Sequence, residues 1–348
     1  MRVTWRASKG WLKMSNLKQV ADLAKVSVAT ASRVLNGSSH PVSGDVRERV
    51  RAAATQLSYM PSAAAQALKH KRTRIIGVIA SDILDPYFAE MTRGIEIEAA
   101  KHGFVTVLAN ANRDANEERN KFQALREHRA SGIIFCGSGI DQAPGSADLM
   151  REVNQAIAEG TQVVTLAPRD FDSTAVVIDN EATAYELTCY LLSLGHRRIV
   201  FLGGIPGLTA AEQRIVGYRR AMAEHGLPDV VTGVEGMSQG AGKHAMRVLL
   251  ADGNQPEAVV CSNDEVAIGA LAQLWASGIR VPEDVSVAGI GGTQGGDTFE
   301  LTTMALPLLE LGASAARFIT EAKAPAQTPA TPPYRLRVGR TTQEATAV

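Results

Sequence analysis

A short segment rich in hydroxyl groups carries side chains that suit contact with nucleic acid. Ser27, Thr30 and Ser32 offer hydroxyls that can hydrogen-bond to phosphate oxygens. Beside them, Arg33 has a planar guanidinium that can donate two hydrogen bonds to the O6 and N7 atoms of a guanine. The segment Val28–Leu35 has helical spacing, and a helix N-terminus attracts anions. These residues predict DNA contact; the alternative is that the helix buries its first residue and leaves Arg33 as a solvated charge.

A second set of polar and aromatic side chains follows the apolar segment Ile75–Ala80, which predicts a buried strand. Asp82 and Asp85 can accept hydrogen bonds from hydroxyl groups, and Tyr87 and Phe88 can cover the face of a ring. Because ligands bind at the carboxyl ends of the strands in an α/β sheet, these side chains predict a small-molecule site. The alternative is that both aromatic residues belong to the core.

The sequence contains no motif that predicts catalysis, a nucleotide or a metal. The glycine-rich run at 289–296 fails the G-x-G-x-x-G pattern because Gln294 stands where the last glycine is needed. The run GAGK at 240–243 lacks the first glycine and the final Ser or Thr of a phosphate-binding loop. No H-E-x-x-H or G-x-S-x-G motif occurs, and the three cysteines lie far apart. We therefore expect neither an enzyme nor a cofactor.

Charge is distributed unevenly along a chain whose formal net charge is zero. Residues 1–74 contain 14 Lys and Arg against 3 Asp and Glu, a net charge of +11, and the remaining residues carry −11. A basic segment joined to an acidic remainder predicts a module that binds a polyanion. A solvated charged face is the alternative.

Three helices are predicted in the basic part of the chain. Asn16 and Gln19 have the spacing of a capping box, Ser27 is a favourable N-cap with Asn36 as the stop, and Ser43 can cap a third helix. The apolar residues at helical spacing are Leu17, Val20, Leu23 and Ala24 in the first helix, and Val46, Val50, Ala53 or Ala54, and Leu57 in the third. Two short helices across a turn, with a third that closes the core, predict a helix-turn-helix fold.

Strands and helices alternate over the rest of the chain. The predicted strands are Ile75–Ala80, Val105–Ala109, Gly132–Cys136, Gln162–Leu166, Arg198–Leu202, Val259–Cys261, Val285–Gly289 and, last, Tyr334–Val338. Helical patterns lie between most of them, for example Tyr87–His102, Glu117–His128, Glu181–Leu194 and Glu265–Ser277. This alternation predicts an α/β fold with parallel sheets, in two lobes.

Several segments, in order along the chain, resemble the LacI/GalR family of bacterial transcription regulators. They are NLKQVADLAKVSVATASRVLN at 16–36, VSGDVRERVRAAATQLSYMP at 42–61, IIGVIASDILDPYFAEMTRGIEIEAAKHGF at 75–104, GHRRIVFLGG at 195–204, RIVGYRRAMAEHGL at 214–227, SNDEVAIGAL at 262–271 and GIRVPEDVSVAGI at 278–290. The resemblance implies a helix-turn-helix head at 16–60, a hinge helix at 61–73 and a two-lobed core at 74–348 that resembles periplasmic binding proteins. Residues 1–15 remain as a basic tail, within which Met14 can be an alternative start.

The resemblance also implies which residues contact DNA. Val28 and Ala29 stand at the positions of the family's base readers, where an apolar side chain can touch a thymine methyl group. In the hinge helix, Leu68 would enter the minor groove as a wedge that bends the duplex. The implied DNA-binding residues are Ser27, Val28, Ala29, Thr30, Ser32, Arg33, Asn36, Ala65, Leu68 and Lys69. The sequence departs from the family at Lys25, which replaces the usual glycine of the turn.

For the core, the resemblance implies a ligand between the lobes. Arg214 matches the family's effector-holding arginine, with capping of carbonyls as its alternative role. The implied effector-binding residues are Asp82, Asp85, Tyr87, Phe88, Arg214, Asn263 and Asp264. Gly291 and Leu306 replace two polar residues that usually bind ligand hydroxyls, and Asp297 is a poorly placed substitute. We therefore expect a bulkier or less hydroxylated effector that uses the room left at Gly291.

These features together predict a ligand-responsive transcriptional regulator. We expect a cytoplasmic homodimer, usually acting as a repressor, that binds a pseudo-palindromic operator and whose DNA affinity is set by a sugar or related metabolite. No membrane segment and no secretory signal is predicted. The alternatives are a cytoplasmic sugar-binding α/β protein and a nonspecific DNA-binding protein.

Overall fold

The computed structural model divides the chain into two units, residues 1–73 and 74–348. It describes residues 15–36, 40–60, 73–232, 236–251, 253, 255–321 and 330–345. The predicted tail before Ser15 and the predicted hinge before Thr73, with Ala65, Leu68 and Lys69, lie outside these described residues. Among the described residues, no helix combines the length and the apolar character needed to cross a bilayer.

The first unit consists of three helices, whose N-termini form largely as the sequence predicts. They are α1 (Leu17–Ala24), α2 (Val28–Leu35) and α3 (Gly44–Gln56). At α1 the Asn16 side chain accepts a hydrogen bond from the Gln19 backbone at 3.0 Å, and the Gln19 side chain accepts one from the Asn16 backbone at 2.9 Å. The Ser27 hydroxyl caps α2 by accepting from the Thr30 backbone at 3.1 Å. Ser43 precedes α3 but makes no capping hydrogen bond with its side chain.

Small apolar residues fill the core of this unit. The buried residues are Val20, Ala21, Ala24, Ala31, Val50, Ala53 and Ala54. The prediction that Leu23 belongs to this core is wrong, because its side chain is 44% exposed. In a helix of eight residues the buried stripe runs through Leu17, Val20, Ala21 and Ala24, which places Leu23 beside the stripe.

The turn between α1 and α2 contains a left-handed residue. Lys25 has φ 55° and ψ 47°, and its N–H donates to the carbonyls of Ala21 and Asp22 at the end of α1. A left-handed conformation costs a side chain other than glycine about 1–2 kcal/mol. The turn therefore keeps the backbone that a glycine would favour although Lys25 occupies it.

The second unit contains two sheets, each flanked by helices. The first sheet has the parallel order β2-β1-β3-β4-β5, with β1 (Ile75–Ala80), β2 (Val105–Asn110), β3 (Gly132–Phe135), β4 (Gln162–Thr165) and β5 (Thr174–Ala175). Its helices are α4 (Pro86–Lys101), α5 (Ala115–Glu127), α6 (Ser146–Ala158) and, from the end of the chain, α12 (Leu308–Thr320). We call this part the first lobe.

The second lobe is built around the other sheet, in the order β11-β10-β9-β8-β6-β7. Its strands are β6 (Ile199–Leu202), β7 (Val230–Thr232), β8 (Ala258–Cys261), β9 (Ser286–Gly291), β10 (Thr302–Ala305) and β11 (Arg335–Arg337), of which only β11 pairs antiparallel. Its helices are α7 (Asn180–Ser193), α8 (Thr209–Glu224), α9 (Gln239–Ala251), α10 (Asp264–Ala276) and α11 (Gln294–Thr298).

Close helix packing ties α12 to the first lobe. A Cβ atom on Gly94 of α4 would lie 2.0 Å from the Leu309 carbonyl oxygen, and one on Gly312 would lie 2.0 Å from that of Met91. Glycine at these two positions therefore lets α4 and α12 approach until their backbones touch. The chain thus returns to the first lobe after building most of the second.

The predicted α/β alternation is confirmed, with differences at the sheet margins. Strands β5, β7 and β10 were not predicted, since each has two to four residues and none is a continuous run of β-branched apolar residues. Strand β9 continues to Gly291, two residues beyond its predicted end, and β11 is shorter than predicted at both ends. Edge strands carry few apolar residues, so their sequence signal is weak.

Candidate functional site

The outward face of α2 presents the side chains predicted to read bases. Val28 is 45% exposed, and Ala29 and Arg33 are exposed as well. The same helix turns Ala31 fully inward and half-buries Val34. The inward face is therefore supplied without Val28, and the alternative in which α2 buries its first residue does not hold.

The hydroxyl groups on α2 are held in place by local hydrogen bonds. The Ser27 and Thr30 hydroxyls lie 2.9 Å apart, and the Asn36 side-chain amide donates to the Ser32 hydroxyl at 3.0 Å. The Ser32 hydroxyl accepts this bond and keeps its own proton as a donor. The segment thus offers oriented donors of the kind that bind phosphate oxygens.

In the second unit, Asp85 lies at the start of α4, just after β1. It is 9% exposed, and its carboxylate accepts a hydrogen bond from the Tyr87 backbone at 3.0 Å. The Arg113 guanidinium is 3.5 Å from the other carboxylate oxygen. Burial nevertheless raises the pKa of Asp85 to about 6. The neighbouring Asp82 is half-buried and accepts from the Leu84 backbone at 3.0 Å.

The two adjacent aromatic residues have different surroundings. Phe88 is 5% exposed and packs in the main core, which is the alternative that the sequence left open. Tyr87 lies edge-on to the Phe88 ring with 5.3 Å between the ring centroids, and it faces the Arg214 charge in the second lobe. Burial raises the pKa of the Tyr87 phenol, so it stays a neutral hydrogen-bonding group. Of the pair, Tyr87 is therefore the one near the opposite lobe.

Arg214 is buried in α8 and is held by two neighbours from its own lobe. Its Nε donates to the Asn180 Oδ1 atom at 3.0 Å, and one terminal nitrogen donates to the Ser262 carbonyl. Burial lowers the pKa of Arg214, while nearby Tyr87 and acidic groups oppose that shift. Sequence reasoning missed Asn180; the only signal was its place at the start of a predicted helix.

Asn263 and Asp264 use their polar atoms within the second lobe. Asn263 caps α10 by accepting from the Val266 backbone at 2.8 Å and donates to the Met237 carbonyl at 2.9 Å. Asp264 is 1% exposed and accepts from the Thr293 backbone at 2.8 Å and from a further hydroxyl, that of Thr303, at 2.6 Å. Burial raises the pKa of Asp264 despite these donors.

The expectation of free room at Gly291 is wrong. A Cβ atom at this position would lie 3.1 Å from the Asp264 carboxylate, so that carboxylate already fills the space. Leu306 is 6% exposed and belongs to the core. Asp297 forms an ion pair with Arg337. No space opens at this part of the second lobe, since the sequence alone did not reveal where Asp264 would point.

Hydrogen bonds join the two lobes directly. The Gln294 backbone N–H donates to the Glu90 carboxylate of α4 at 3.0 Å. On another side, the Asp141 N–H donates to the Gly207 carbonyl at 2.7 Å, and the Thr209 N–H donates to the Gly139 carbonyl at 3.1 Å. The lobes therefore touch at two places on either side of Asp85 and Arg214.

A cavity of about 950 Å³, here called the side cavity, lies between loops of the two lobes. Its lining includes Arg113 and Ser81 from the first lobe and Gln213 and Leu208 from the second. Arg113 and Gln213 are the respective neighbours of Asp85 and Arg214 along this route. A cavity of this size falls within the range that holds a drug-sized ligand, roughly 300–1,000 Å³. In the ranges that the structure describes, His, Cys, Asp and Glu form no group of three or more that could hold a metal ion.

One edge of the first sheet is exposed and apolar. Strand β2 is its outermost strand, and Val105 is 64% exposed and Leu108 46% exposed. Leu84, in the loop after β1, is 86% exposed. Exposed apolar edge strands favour association with another chain.

Two families account for the two units. Residues 16–62 match the bacterial regulatory proteins of the lacI family, and residues 73–331 match the periplasmic binding proteins and sugar binding domain of LacI family. The second match alone covers more than half of the chain.

Individual relatives agree with this assignment. The chain is 33% identical to the HTH-type transcriptional regulator DegA of Bacillus subtilis over 86% of its length and 88% of the relative's. It is also 33% identical to the HTH-type transcriptional repressor CytR of Escherichia coli, over 86% and 87% of the two chains.

Solved structures give the same result. The Lac repressor dimer bound to operator and the anti-inducer ONPF aligns over 95% of this chain and 100% of that one, with TM-score 0.83 and 26% identity. A LacI-family regulator from Silicibacter pomeroyi aligns over 94% and 99%, with TM-score 0.78 and 26% identity. The chain therefore belongs to the LacI family of bacterial regulatory proteins, with a helix-turn-helix head followed by the sugar-binding type of core.

Proposed function

We propose that this protein is a ligand-responsive repressor that binds a pseudo-palindromic operator as a homodimer. The observation that carries the proposal is the outward face of α2, where Val28, Ala29 and Arg33 are exposed on a helix whose other face closes a small core. A major groove admits a helix presented in this way. The Lac repressor, which this chain resembles, is a dimer on operator DNA in its crystal structure.

The DNA contacts divide into base readers and phosphate binders. Arg33 donates to a guanine, and Val28 and Ala29 meet thymine methyl groups. The phosphate contacts come from the oriented polar groups of Ser27, Thr30, Ser32 and Asn36. The segment that joins the units contributes Ala65, the wedge Leu68 and the phosphate contact Lys69.

The effector binds between the lobes, beside Asp85, Tyr87 and Arg214. This placement is supported by the burial of these three side chains where the lobes meet, and Asp82 lies at the margin of the same region. Phe88, Asn263 and Asp264 form the supporting wall, because their rings or polar atoms are already engaged within a lobe. Ligand binding changes the spacing of the lobes, and this change alters the affinity for DNA.

The partner and setting follow from the same features. The exposed edge around Leu84, Val105 and Leu108 is the surface for self-association, because it is apolar and lies on an unpaired strand. Two heads related by a two-fold axis match two half-sites of a palindrome. We place the protein in the cytoplasm, where it acts by binding and not by catalysis.

The function is tested by selecting fragments of genomic DNA with the full chain. We expect the bound fragments to share an inverted repeat, and the complex to sediment as a dimer on one repeat. Binding that ignores sequence at moderate salt would instead indicate the nonspecific DNA-binding alternative, whose affinity comes only from phosphate contacts. Binding of a sugar without any DNA binding would indicate the sugar-binding alternative.

A further inference from the structure

The side cavity has an apolar wall that the binding of a simple sugar would leave unused. Its apolar lining residues come from α6 and from the loops after β3, β4 and β6, and include Ile140, Leu149, Met150, Pro168, Phe171 and Leu208. Sugar hydroxyls gain nothing from such a surface, whereas an apolar or aromatic group is stabilised by leaving water.

The polar rim of the side cavity is continuous with the proposed effector site. On the first lobe, the Arg113 guanidinium reaches from the rim to within 3.5 Å of the Asp85 carboxylate. On the second, the Gln213 side-chain oxygen accepts from the Asn180 amide at 3.3 Å, and Asn180 in turn accepts from Arg214 at 3.0 Å. A ligand held at Asp85 and Arg214 can therefore extend into the side cavity without crossing a wall.

The cations of the cavity are already neutralised. The Arg169 side chain is 5% exposed and forms an ion pair with Glu118 at 2.5 Å, while its Nε donates to the Gly137 carbonyl at 2.6 Å. Its guanidinium also lies 5.5 Å from the ring centroid of Phe171. Arg113 has the carboxylate of Asp85 beside it. Neither arginine is left to attract an anionic ligand.

Acidic side chains at the rim make an anion still less favourable. The lining residues Asp141 and Glu212 are exposed, and Asp170 lies beside them in the lining. Three carboxylates near the entrance repel phosphate and carboxylate groups, most strongly at low salt. The cavity therefore suits an uncharged group.

We propose that the effector is an uncharged molecule in two parts, a sugar ring at Asp85 and Arg214 joined to an aromatic or apolar group in the side cavity. This inference rests on the proposed function of the cleft. The filled space at Gly291 supports it, because a bulkier ligand finds no room there and the side cavity is the direction left open. The aromatic group can be linked through oxygen, as in an aryl glycoside, or through nitrogen, as in a nucleoside.

The test compares two tryptophan variants of the same helix, α6. Ala147 lines the side cavity and is exposed, so Ala147→Trp fills the cavity without disturbing a core. Ala158, the last residue of α6, is also exposed and lies outside the lining, so Ala158→Trp is the matched control. Phenol at millimolar concentration is the first probe, with binding to the full chain followed by saturation-transfer NMR.

We expect phenol to give a signal with the wild-type chain and Ala158→Trp, and at least a fivefold weaker one with Ala147→Trp. Equal signals for the two variants, or no signal with the wild type, would overturn the proposal. Calorimetry then compares phenyl with methyl β-D-glucopyranoside and adenosine with ribose, to distinguish the two linkages. In at least one pair we expect tenfold tighter binding of the aromatic member, lost in Ala147→Trp; no preference in either pair also overturns the proposal.

Operator binding by the same preparations separates this inference from the proposed function. A chain that binds phenol in the side cavity but selects no inverted repeat would contradict the function and leave the cavity assignment standing. A chain that selects an inverted repeat but shows no aromatic preference would contradict only the inference.

Discussion

At the scale of single residues, Arg33 is the side chain best placed for sequence-specific DNA contact, because it is exposed on α2 and can donate two hydrogen bonds. We expect Arg33→Ala to reduce discrimination at one guanine of the operator by about 1–3 kcal/mol. Lys69→Ala, which removes a proposed phosphate contact, should weaken all sequences similarly. Gel-shift titrations on operator and random DNA measure both effects, and equal losses on both DNAs for both variants would disprove the assignment.

Asp85 gives the cleft a pH dependence of defined sign. Its pKa is raised to about 6 by burial, so the folded chain holds a proton on Asp85 at a pH where the unfolded chain has lost it. Stability from this group is therefore highest below pH 4 and falls as the pH rises from about 4 to 6. A tenfold difference in proton affinity corresponds to about 1.4 kcal/mol, so the free energy of unfolding falls by at most about 3 kcal/mol over this range.

Asp85→Asn isolates this effect, since asparagine can also cap α4. We expect the variant to unfold at higher denaturant concentration than the wild type at pH 7.5, with the difference shrinking at pH 4.5. Urea unfolding at several pH values measures it. A difference that grows as the pH falls would show that the carboxylate is stabilised in its ionised form.

At the scale of elements, the turn after α1 holds a conformation that its residue does not favour. Lys25 is exposed and left-handed, so a glycine there keeps the backbone and removes the steric cost. We expect Lys25→Gly to stabilise the helical unit by about 0.5–1 kcal/mol, the gain being reduced by the greater freedom of glycine when unfolded. Thermal unfolding followed by circular dichroism measures the change, and Lys18→Gly within α1 is a contrasting variant that should destabilise.

The elements that could be predicted are those whose signal is local. The Asn16 capping box and the left-handed Lys25 depend on neighbours within a few residues, and both follow from the sequence. The Asp264 carboxylate, by contrast, reaches Gly291 across two elements, so the sequence suggested an open space where the structure has a filled one. Asn180 was missed for the same reason, because only the fold brings it to Arg214. Distant contacts of this kind leave no periodic pattern.

At the scale of the whole core, the lobes are joined on one side by a single side chain. Glu90 of α4 accepts from the Gln294 backbone at 3.0 Å, beside Asp297 and Arg337 of the second lobe. Partial burial raises the pKa of the Glu90 carboxyl, and the backbone hydrogen bond opposes that rise. This bond stabilises the closed arrangement of lobes and shifts their equilibrium in the absence of ligand.

Removing the Glu90 side chain should therefore favour separation of the lobes. A hydrogen bond of a partly exposed carboxylate contributes on the order of 1 kcal/mol, so Glu90→Ala is expected to shift the open-to-closed ratio roughly fivefold. Amide exchange by mass spectrometry is the direct measurement, because the Gln294 N–H loses its acceptor and the segment Gln294–Thr298 should exchange faster. Glu96→Ala, at an exposed position of α4, is the matched control. If both variants leave exchange in this segment unchanged, the lobes are held together by the contacts on the opposite side, between Gly139 and Thr209 and between Asp141 and Gly207.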